Sequence, residues 1–470
     1  MTQLIERDYL ISHLTKLQRH DKGKAMTVLP FSTKKTSPIK GQFNKVLGDY
    51  VRNVCELKLE EKQFKQTELY TSTQENPLSE QIAKTIEFDE DQEDDKYDFI
   101  RFLDQYLFNQ EEIKPIHPFL FNYMQVKKKN KNENELSKYA HFIRDILALK
   151  NNEVKEIFSS KETDDILTEL IISNLDALTE AKPLNVEYEP LLSPITKLYQ
   201  EDLVFLSKYK DYFLTSFPLL THFYVFMYVC QITLKFEQFI DADFDSLHPI
   251  YFALEWESIT QRRKAADELE GFKFIKEKSK NLFPHIHAIS QISHNSLNKT
   301  SGDRVKFIPY STLYQKISIQ GEEFEQRFLL ELKLWIKDYL KWANKELEDN
   351  STDLPTAFKV LFQSVKKGTN SEVAERYGKN IEALGANQFL KGRGSIGQVL
   401  NIKHDFLLLL TAVSVKDKRI PLNDLFIEFE KRGIAFDRYS KKEIITLLDN
   451  LNILDKKSDS GDAQYVKAIL

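Results

Sequence analysis

Apolar residues recur at intervals of three and four along much of the chain, which is the spacing of one face of an α-helix. The clearest case is residues 323–347, whose apolar face would consist of Phe328, Leu329, Leu332, Trp335, Ile336, Tyr339, Leu340, Trp342, Ala343 and Leu347. A shorter case is residues 98–108, with Phe99, Phe102, Leu103 and Tyr106 on one face. Faces this wide are typical of helices packed against other helices, so the pattern predicts a large multi-helix body.

Residues 219–234 are almost continuously apolar, without the alternation of a surface helix. The run is short for a bilayer-spanning helix, which needs about 20 apolar residues. It also contains Thr221, His222 and Gln231. We therefore expect a helix buried in the core of the body rather than a membrane span.

The predicted helix at residues 323–347 also carries a lysine at every fourth position, at Lys333, Lys337, Lys341 and Lys345. Successive lysines would be separated by about 40° around the helix axis, so all four would share one side. Like charges along one side repel each other slightly and favour water or an anion nearby. The row is interpreted as a solvated face, with a phosphate-binding or partner-docking ridge as the alternative.

The last part of the chain, residues 404–470, has its own order of elements. The nearly continuous apolar run at residues 406–413, with leucine at 407–410, predicts a buried first helix, and residues 424–433 predict a second one. A third helix is expected to begin at Ser440, because Ser440 with Glu443 three residues later fits a capping box.

Short strands are predicted around these helices. Residues 419–421 leave room for one very short strand before the second helix. Residues 453–457 and 463–467 predict two more strands, joined by the turn residues 458–462. The order helix, strand, helix, helix, hairpin is that of a winged-helix domain, so the predicted fold class is mainly α with a small C-terminal winged-helix (α+β) module.

A winged helix places its third helix in the major groove of DNA and its hairpin on the backbone. The candidate DNA contacts are therefore Arg438, Lys441 and Lys442 on the third helix, and Lys456 and Lys457 on the wing. Eleven basic and eleven acidic residues make the module neutral, so its binding to DNA on its own would be weak at cellular salt. Many winged helices dock proteins instead, and both roles are open.

A glycine-rich segment, residues 390–398, precedes this module. Its three glycines satisfy the G-x-G-x-x-G pattern of dinucleotide-binding loops, but no clear strand pattern precedes it and no acidic residue follows at the spacing of a ribose contact. The segment is interpreted as a flexible hinge. Lys391 and Arg393 are further candidate phosphate contacts.

Composition narrows the class of protein. Glycine and proline number 14 each, which leaves few turn positions and argues against a β-sandwich or a propeller. A hydrophobic fraction of 41% supplies a substantial core and excludes global disorder. The net charge of −5 excludes binding of nucleic acid by bulk charge alone. Two cysteines, Cys55 and Cys230, and an N-terminus without a signal-peptide run indicate a cytoplasmic protein without membrane association.

No catalytic constellation is recognisable. His285, His287 and His294 lie close together, but a His-x-His pair shares one face only in a strand, so core or surface histidines are favoured over a metal site. His13 and His20 are expected to be exposed. No Walker lysine and no nucleophile elbow occur. We expect a protein that is not an enzyme and holds no cofactor or metal, with a metal-dependent nuclease built from scattered acidic residues as the alternative.

The chain is expected to have three parts. Residues 1–190 would form an N-terminal helical region with charged loops, residues 191–390 a helical core, and residues 391–470 the hinge and the winged-helix domain. The acidic run at residues 87–98 predicts a solvated linker or a helix start, with a docking site for a basic partner as the alternative, and the basic run at residues 127–135 predicts an exposed loop.

The end of the chain resembles the DptG family, the G component of the DNA phosphorothioation-dependent restriction system. The resemblance is carried by KGRGSIGQ, HDFLLLLTAV and RGIAFDRYSKKEIITLLDNLNILDKKSDSGDAQYVKAIL, all within residues 391–470, and by the overall length. It implies a bacterial antiviral defence protein that acts with DptF-like and DptH-like partners on DNA lacking the sulfur modification. It implies no catalytic residue for this subunit, and ATP hydrolysis would belong to the partners.

The expected function is therefore that of a non-catalytic subunit of a DNA restriction complex. The helical body would scaffold the ATPase partners, and the winged helix would contact DNA or a neighbouring subunit. Besides the nuclease, a stand-alone winged-helix DNA-binding regulator is an alternative, although the neutral module and the large body speak against it.

Overall fold

The computed structural model describes residues 3–59, 77–86, 88, 93–109, 112–124, 131–175, 177–257, 271–298, 304–394, 397–456 and 464–470, and the structural statements below concern these residues. Helices dominate the described residues, and the strands are short. The predicted mainly α class is confirmed.

The helices in the described residues are numbered in chain order. They are α1 Arg7–Leu17, α2 Leu47–Cys55, α3 Pro77–Ala83, α4 Glu93–Leu107, α5 Lys131–Ile143, α6 Asn152–Ser159, α7 Ile166–Ser173, α8 Ser193–Ser207, α9 Lys210–Glu237, α10 Phe272–Ser279, α11 Leu282–Ser293, α12 Tyr310–Ser318, α13 Glu322–Ala343, α14 Leu354–Gly368, α15 Ser371–Gly385, α16 His404–Val415, α17 Leu422–Lys431 and α18 Arg438–Asn450. A π-helical turn, Arg144–Ala148, follows α5 directly, and 3-10 turns lie at Phe43–Val46, Pro118–Tyr123 and Phe239–Asp241.

The strands form small sheets of two or three members. They are β1 Leu57–Leu59, β2 Phe108–Asn109, β3 Glu112–Ile113, β4 Leu178–Glu180, β5 Ile250–Tyr251, β6 Ala253–Leu254, β7 Leu390–Gly392, β8 Gln398–Ile402, β9 Ile420–Pro421, β10 Ile434–Ala435, β11 Leu454–Lys456 and β12 Gln464–Val466. Antiparallel pairs are β1–β4 and β2–β3, and β5 pairs with β10 in parallel. The three-stranded sheets have the orders β6–β8–β7 and β9–β12–β11.

The chain divides into two compact units. The larger unit consists of Met1–Gly41, Glu187–Ile195 and Phe223–Leu470, and the smaller unit of Gln42–Val186 and Thr196–His222. These units differ from the three consecutive parts expected from the sequence. The difference arises because the first 41 residues contact residues far along the chain, which no local pattern reveals.

The smaller unit is built around α2, a helix that is buried on almost every side. The Arg52 guanidinium donates to the carbonyl oxygens of Asn122 and Met124, each at 2.6 Å, and also binds Asp49. Gly48 lets the backbone approach closely, since a Cβ there would lie 2.0 Å from the Met124 carbonyl oxygen. A buried cation is tolerated here because several oxygens replace its hydration.

The acidic run of the smaller unit is partly helical, because α4 begins at Glu93. Of the apolar face predicted for this helix, only Leu103 is fully buried. Phe102 is 47% exposed, and its ring stacks on Tyr106 at 5.5 Å. Among the described residues, the predicted face is therefore wider than the buried face.

The core of the larger unit contains the second half of α9. Phe226 packs against the ring of Phe389, with 5.1 Å between centroids, and Phe223 packs against Phe406 at 5.0 Å. Within the described residues, α9 is the helix long and apolar enough to cross a membrane, and 78% of its most apolar stretch is buried inside the protein. This burial agrees with the predicted core helix.

Helix α13 confirms the longest predicted amphipathic helix, and its apolar face is buried. Trp335 is fully buried, and its indole N–H donates to the side-chain oxygen of Gln291 at 3.1 Å. The helix ends at Ala343 because Asn344 adopts a left-handed conformation with φ 49°. Lys345 therefore lies beyond the helix, and the predicted row of four lysines is wrong at this position.

The N-terminal segment of the larger unit binds one side of α13. The backbone N–H groups of Leu4 and Ile5 donate to the Glu331 carboxylate at 2.8 and 3.0 Å. The Arg7 guanidinium pairs with Asp338 at 2.7 Å. The carboxylates of α13 thus hold the start of the chain, which explains why this segment belongs to the larger unit.

All the elements predicted for residues 404–470 are present, in the predicted order, with β10 added between α17 and α18. In the sheet β9–β12–β11, Val466 pairs with both Ile420 and Leu454. The predicted turn at residues 458–462 lies outside the described residues. The predicted start of the third helix is wrong by two residues: α18 begins at Arg438, and Asp437 caps it by accepting the backbone N–H of Ser440 at 2.7 Å.

The glycine-rich segment at residues 390–398 differs from the expected flexible hinge. Leu390–Gly392 form β7 and Gln398 begins β8, and the two strands pair in antiparallel register from Leu390 with Leu400 to Gly392 with Gln398. Gly394 and Gly397 have φ values of 56° and 84°, which favour glycine. The glycines thus serve the connection of a short hairpin.

Candidate nucleic-acid interface

Helix α18 has one buried and one exposed face. Ser440, Ile444 and Leu448 are fully buried and form the inner face. Because Asp437 caps the helix, the first turn places Arg438 and Tyr439 on the outer face. The outer face is therefore an exposed surface among the described residues of 404–470.

Two of the predicted DNA contacts, Arg438 and Lys442, are exposed one turn apart on this face. Neither side chain forms an ion pair with any residue that the structure describes. The Arg438 guanidinium lies 5.9 Å from the ring centre of Tyr439, which is 60% exposed. Two cations can bind phosphate oxygens, and an exposed aromatic ring offers an apolar surface to a sugar or a base.

Lys441 points in a different direction. Its Nζ lies 3.7 Å from the Glu430 carboxylate and 5.0 Å from the ring centre of Phe426, both on α17. The side chain therefore connects two helices, and its charge is partly neutralised. It offers less to a phosphate than Arg438 or Lys442 does.

The predicted wing contacts lie at the edge of what the structure describes. Lys456 ends β11 opposite Gln464, but its side chain and the whole of Lys457 are outside the described residues. In the described part of the sheet, Asp455 lies 3.5 Å from Arg419 and 3.7 Å from Lys467. These two cations are therefore engaged with a carboxylate.

Lys391 and Arg393 hold β7 against the segment that contains β6. The Arg393 guanidinium donates to the carbonyl oxygens of Leu254 and Glu255 at 2.8 and 3.2 Å. Lys391 Nζ lies 3.4 Å from the Glu255 carboxylate. Both side chains have structural contacts, so the described geometry does not bring them to the exposed face of α18.

The same segment is attached to the start of α18. The Ser440 hydroxyl, fully buried, donates to the carboxylate of Glu257 at 2.8 Å. Strand β10, just before α18, pairs with β5 in parallel, with Ile434 opposite Ile250. These contacts fix the direction of α18 within the larger unit and leave its outer face open.

Acidic residues limit the charge of this face. Glu443 and Asp449 are also exposed on α18. A phosphate backbone would have to meet the first two turns of the helix, where Arg438 and Lys442 lie, although Glu443 directly follows Lys442. The candidate interface is therefore small and weakly basic.

The three histidines considered for a metal site are buried but point to different neighbours. His285 stacks on Phe362 with 4.0 Å between ring centroids. His287 packs against Phe283 at 4.2 Å. His294 Nδ1 donates to the Ser290 carbonyl oxygen at 2.7 Å. Because residues two apart on a helix point about 200° apart, α11 separates His285 from His287.

In the part of the chain that the structure describes, no group of three or more His, Cys, Asp or Glu side chains is placed to hold a metal ion. The expectation that His20 is exposed is wrong. Its Nε2 lies 2.6 Å from the Tyr339 hydroxyl, and its ring contacts His287 edge-on at 5.7 Å. His13 is half-buried and lies 2.9 Å from the Asp21 carboxylate. These histidines belong to the packing between the N-terminal segment and helices α11 and α13.

Acid is expected to destabilise the larger unit through these histidines. Burial lowers the pKa of His287 to about 3 and that of His20 to about 4. Folded His287 therefore stays neutral at pH 5.5, whereas a histidine in the unfolded chain, with a pKa of about 6.5, takes up a proton. For His287 alone, lowering the pH from 7.5 to 5.5 should therefore lower the free energy of unfolding by about 1 kcal/mol.

Urea unfolding at the two pH values, followed by tryptophan fluorescence, measures this effect. All three tryptophans, Trp256, Trp335 and Trp342, lie in the larger unit, so the signal reports that unit. His287→Gln cannot titrate and should reduce the pH dependence by about 1 kcal/mol. If His287→Gln has the same pH dependence of stability as the wild type, His287 is not a source of the destabilisation by acid.

Reasoning from the sequence missed Tyr439, because only cations were considered as contacts. A tyrosine between two polar residues, outside the apolar positions of its helix, was the available signal. Among the described residues, the start of α18 thus combines two exposed cations with an exposed aromatic ring. Comparison with protein-family models and with curated proteins finds no match for this chain.

Proposed function

We propose that the chain is a non-catalytic subunit of a bacterial phosphorothioation-dependent DNA restriction complex, in which residues 404–470 act as a winged helix that contacts DNA. The observation that carries the proposal is the exposed N-terminal end of α18, where Arg438 and Lys442 lie on the outer face and form no ion pair with a described residue, next to two further helices and a three-stranded sheet. The third helix of a winged helix meets the major groove with this end. The resemblance of residues 391–470 to the DptG family supports the restriction complex.

The contact with DNA belongs to the assembly rather than to the isolated chain. Two exposed cations make few phosphate contacts, and each contact contributes only about −0.9 to the salt dependence of log K. The module is neutral, and the whole chain has a net charge of −5. Partners of the DptF-like and DptH-like type would supply further DNA contacts and the ATP hydrolysis.

The cytoplasm is the compartment that fits this role. Both cysteines, Cys55 and Cys230, are free and buried. Burial raises the pKa of the Cys55 thiol to about 12, so the thiolate needed for disulfide exchange is scarce. A reducing compartment is therefore compatible with both residues.

Purification from a host that carries the neighbouring genes tests the proposal. We expect the chain to elute with an ATPase and another large subunit, and the purified assembly to shift unmodified duplex DNA in a gel. Elution of the chain alone would contradict the proposal. Cleavage of unmodified DNA by the isolated chain with Mg²⁺ or Mn²⁺ would indicate a nuclease instead. Tight sequence-specific binding by the isolated chain would indicate a regulator.

A further inference from the structure

Helix α13 exposes a stripe of five residues, Arg327, Leu330, Leu334, Lys337 and Lys341, which we call the α13 stripe. Their spacings of three and four place them within about 80° of one another around the helix axis, over a length of about 21 Å. Leu330 is 62% exposed and Leu334 is 47% exposed. The stripe therefore has an apolar centre with cations at both ends, on the side away from the buried Trp335 face.

The cations of the stripe have no partners among the described residues. Arg327, Lys337 and Lys341 are all exposed and form no ion pair or side-chain hydrogen bond within them. Lys333 is different, since its Nζ donates to the Ser351 carbonyl oxygen at 2.8 Å. The exposed side of α13 is therefore not a row of lysines alone. It is a mixed stripe in which Leu330 and Leu334 are followed by Lys337 and Lys341 along the helix.

The stripe is bounded on one flank. Glu331 and Asp338 bind Leu4, Ile5 and Arg7 of the N-terminal segment. These carboxylates are therefore bound by the N-terminal segment, and neither forms an ion pair with a cation of the stripe among the described residues. A partner approaching the helix would meet two exposed leucines and three positive charges, with the exposed carboxylate of Glu323 one turn before Arg327.

We propose that the α13 stripe docks an acidic amphipathic helix of another subunit in the restriction complex. An apolar seam at spacings of three and four is the surface on which a second helix packs by side-chain interdigitation. Glutamate or aspartate flanking the apolar positions of that helix would pair with Arg327, Lys337 and Lys341. The inference rests on the proposed function, because it assigns a surface to one of the partners.

Other occupants fit the stripe less well. A second copy of this chain would bring the same cations together, and an antiparallel pair would set Arg327 beside Lys341 of the other copy. A DNA backbone would match the cations but would leave the two leucines against phosphates. An acidic helix satisfies both the apolar centre and the charged ends.

Photo-crosslinking in the assembled complex tests the site of docking. Leu330 is replaced by the photoreactive residue p-benzoylphenylalanine, and the crosslinked peptides are sequenced by mass spectrometry. We expect crosslinks to an Asp- and Glu-rich amphipathic segment of another subunit. Ile166, which is 85% exposed in the smaller unit, carries the same probe as the control and should not give that crosslink. Crosslinks to DNA or to a second copy of the chain would overturn the proposal.

Two variants test the chemistry of docking. Leu330→Asp with Leu334→Asp should lower the amount of the crosslinked subunit that co-purifies about tenfold or more, because the apolar seam is lost. Arg327→Glu with Lys337→Glu should also lower the amount of the crosslinked subunit that co-purifies. This loss should be larger at low salt than at high salt, because salt screens interactions between exposed charges. Ile166→Asp is the matched control and should leave the yield of that subunit unchanged.

The outcomes separate this inference from the proposed function. If the wild-type chain co-purifies with no subunit, the proposed function is contradicted. If the wild-type chain and both stripe variants retain every subunit equally, the complex stands and the docking surface is wrong. Circular dichroism of each purified variant checks that a loss of partner does not arise from unfolding.

Discussion

An assembly that carries Arg438→Glu and Lys442→Glu is expected to bind DNA about 100-fold more weakly than the wild-type assembly. Each substitution removes one contact between a charged group and a phosphate, worth about 1.5 kcal/mol, and two such losses correspond to about 100-fold in affinity. The new carboxylates also repel the backbone. The loss of DNA affinity should be large because neither Arg438 nor Lys442 forms an ion pair with a described acidic side chain.

Fluorescence anisotropy with a labelled unmodified duplex, titrated at several salt concentrations, measures the loss. With the milder Arg438→Gln and Lys442→Gln, the slope of log K against log salt should become shallower by about 2, since each phosphate contact contributes about one unit. Tyr439→Ala should weaken binding with little change in this slope, because its ring carries no charge.

A matched pair of substitutions controls for net charge. Lys316→Glu and Lys359→Glu change the charge of the chain equally at two exposed positions on α12 and α14. We expect DNA affinity close to that of the wild type for this pair. If the α18 variant and this control bind DNA equally well, α18 is not the contact, and residues 404–470 have a docking role.

Trp335→Ala is expected to lower the free energy of unfolding of the larger unit by about 3–5 kcal/mol. The indole is fully buried on α13, and its removal leaves a cavity between that helix and α11. It also leaves the Gln291 side-chain oxygen without its donor, and a buried polar atom without a partner costs a further penalty. An effect this large is comparable with the total stability of many domains.

Urea unfolding followed by far-ultraviolet circular dichroism measures this change. Trp335→Phe keeps much of the apolar volume and loses only the hydrogen bond and part of the ring, so its effect should be clearly smaller. Leu330→Ala on the same helix should change stability by less than about 0.5 kcal/mol, because that side chain is 62% exposed. Equal effects of Trp335→Ala and Leu330→Ala would contradict the observed packing.

The candidate site was predictable only in part. The pattern of residues 404–470 indicated three helices, one very short strand and the two strands of a hairpin, because period-3.6 and period-2 spacings are local properties of the chain. It also placed Arg438 and Lys442 near the start of the third helix. It did not separate them from Lys441, because the contacts with Glu430 and Phe426 depend on how α17 and α18 pack.

The cap of α18 shows the limit of a local motif. Ser440 and Glu443 have the spacing of a capping box, but Asp437 is also a good cap three residues earlier. The Ser440 side chain is instead buried and donates to the carboxylate of Glu257, 183 positions away in the chain. A partner at that distance in sequence leaves no trace in the local pattern.

The sequence by itself determined the helical class, the burial of the apolar half of α9, the packed face of α13 and the order of elements after residue 404. These properties follow from the periodicity of apolar residues, which decides which side of each element leaves water. Only the tertiary structure decided which cations remain unpaired. The Arg393 guanidinium donates to carbonyl oxygens of the segment that contains β6, and Lys333 donates to the Ser351 carbonyl oxygen. Arg438, Lys442 and the α13 stripe instead face solvent. The reason is that an ion pair or a carbonyl contact needs two groups within about 4 Å, and that distance is set by packing between segments far apart in the chain.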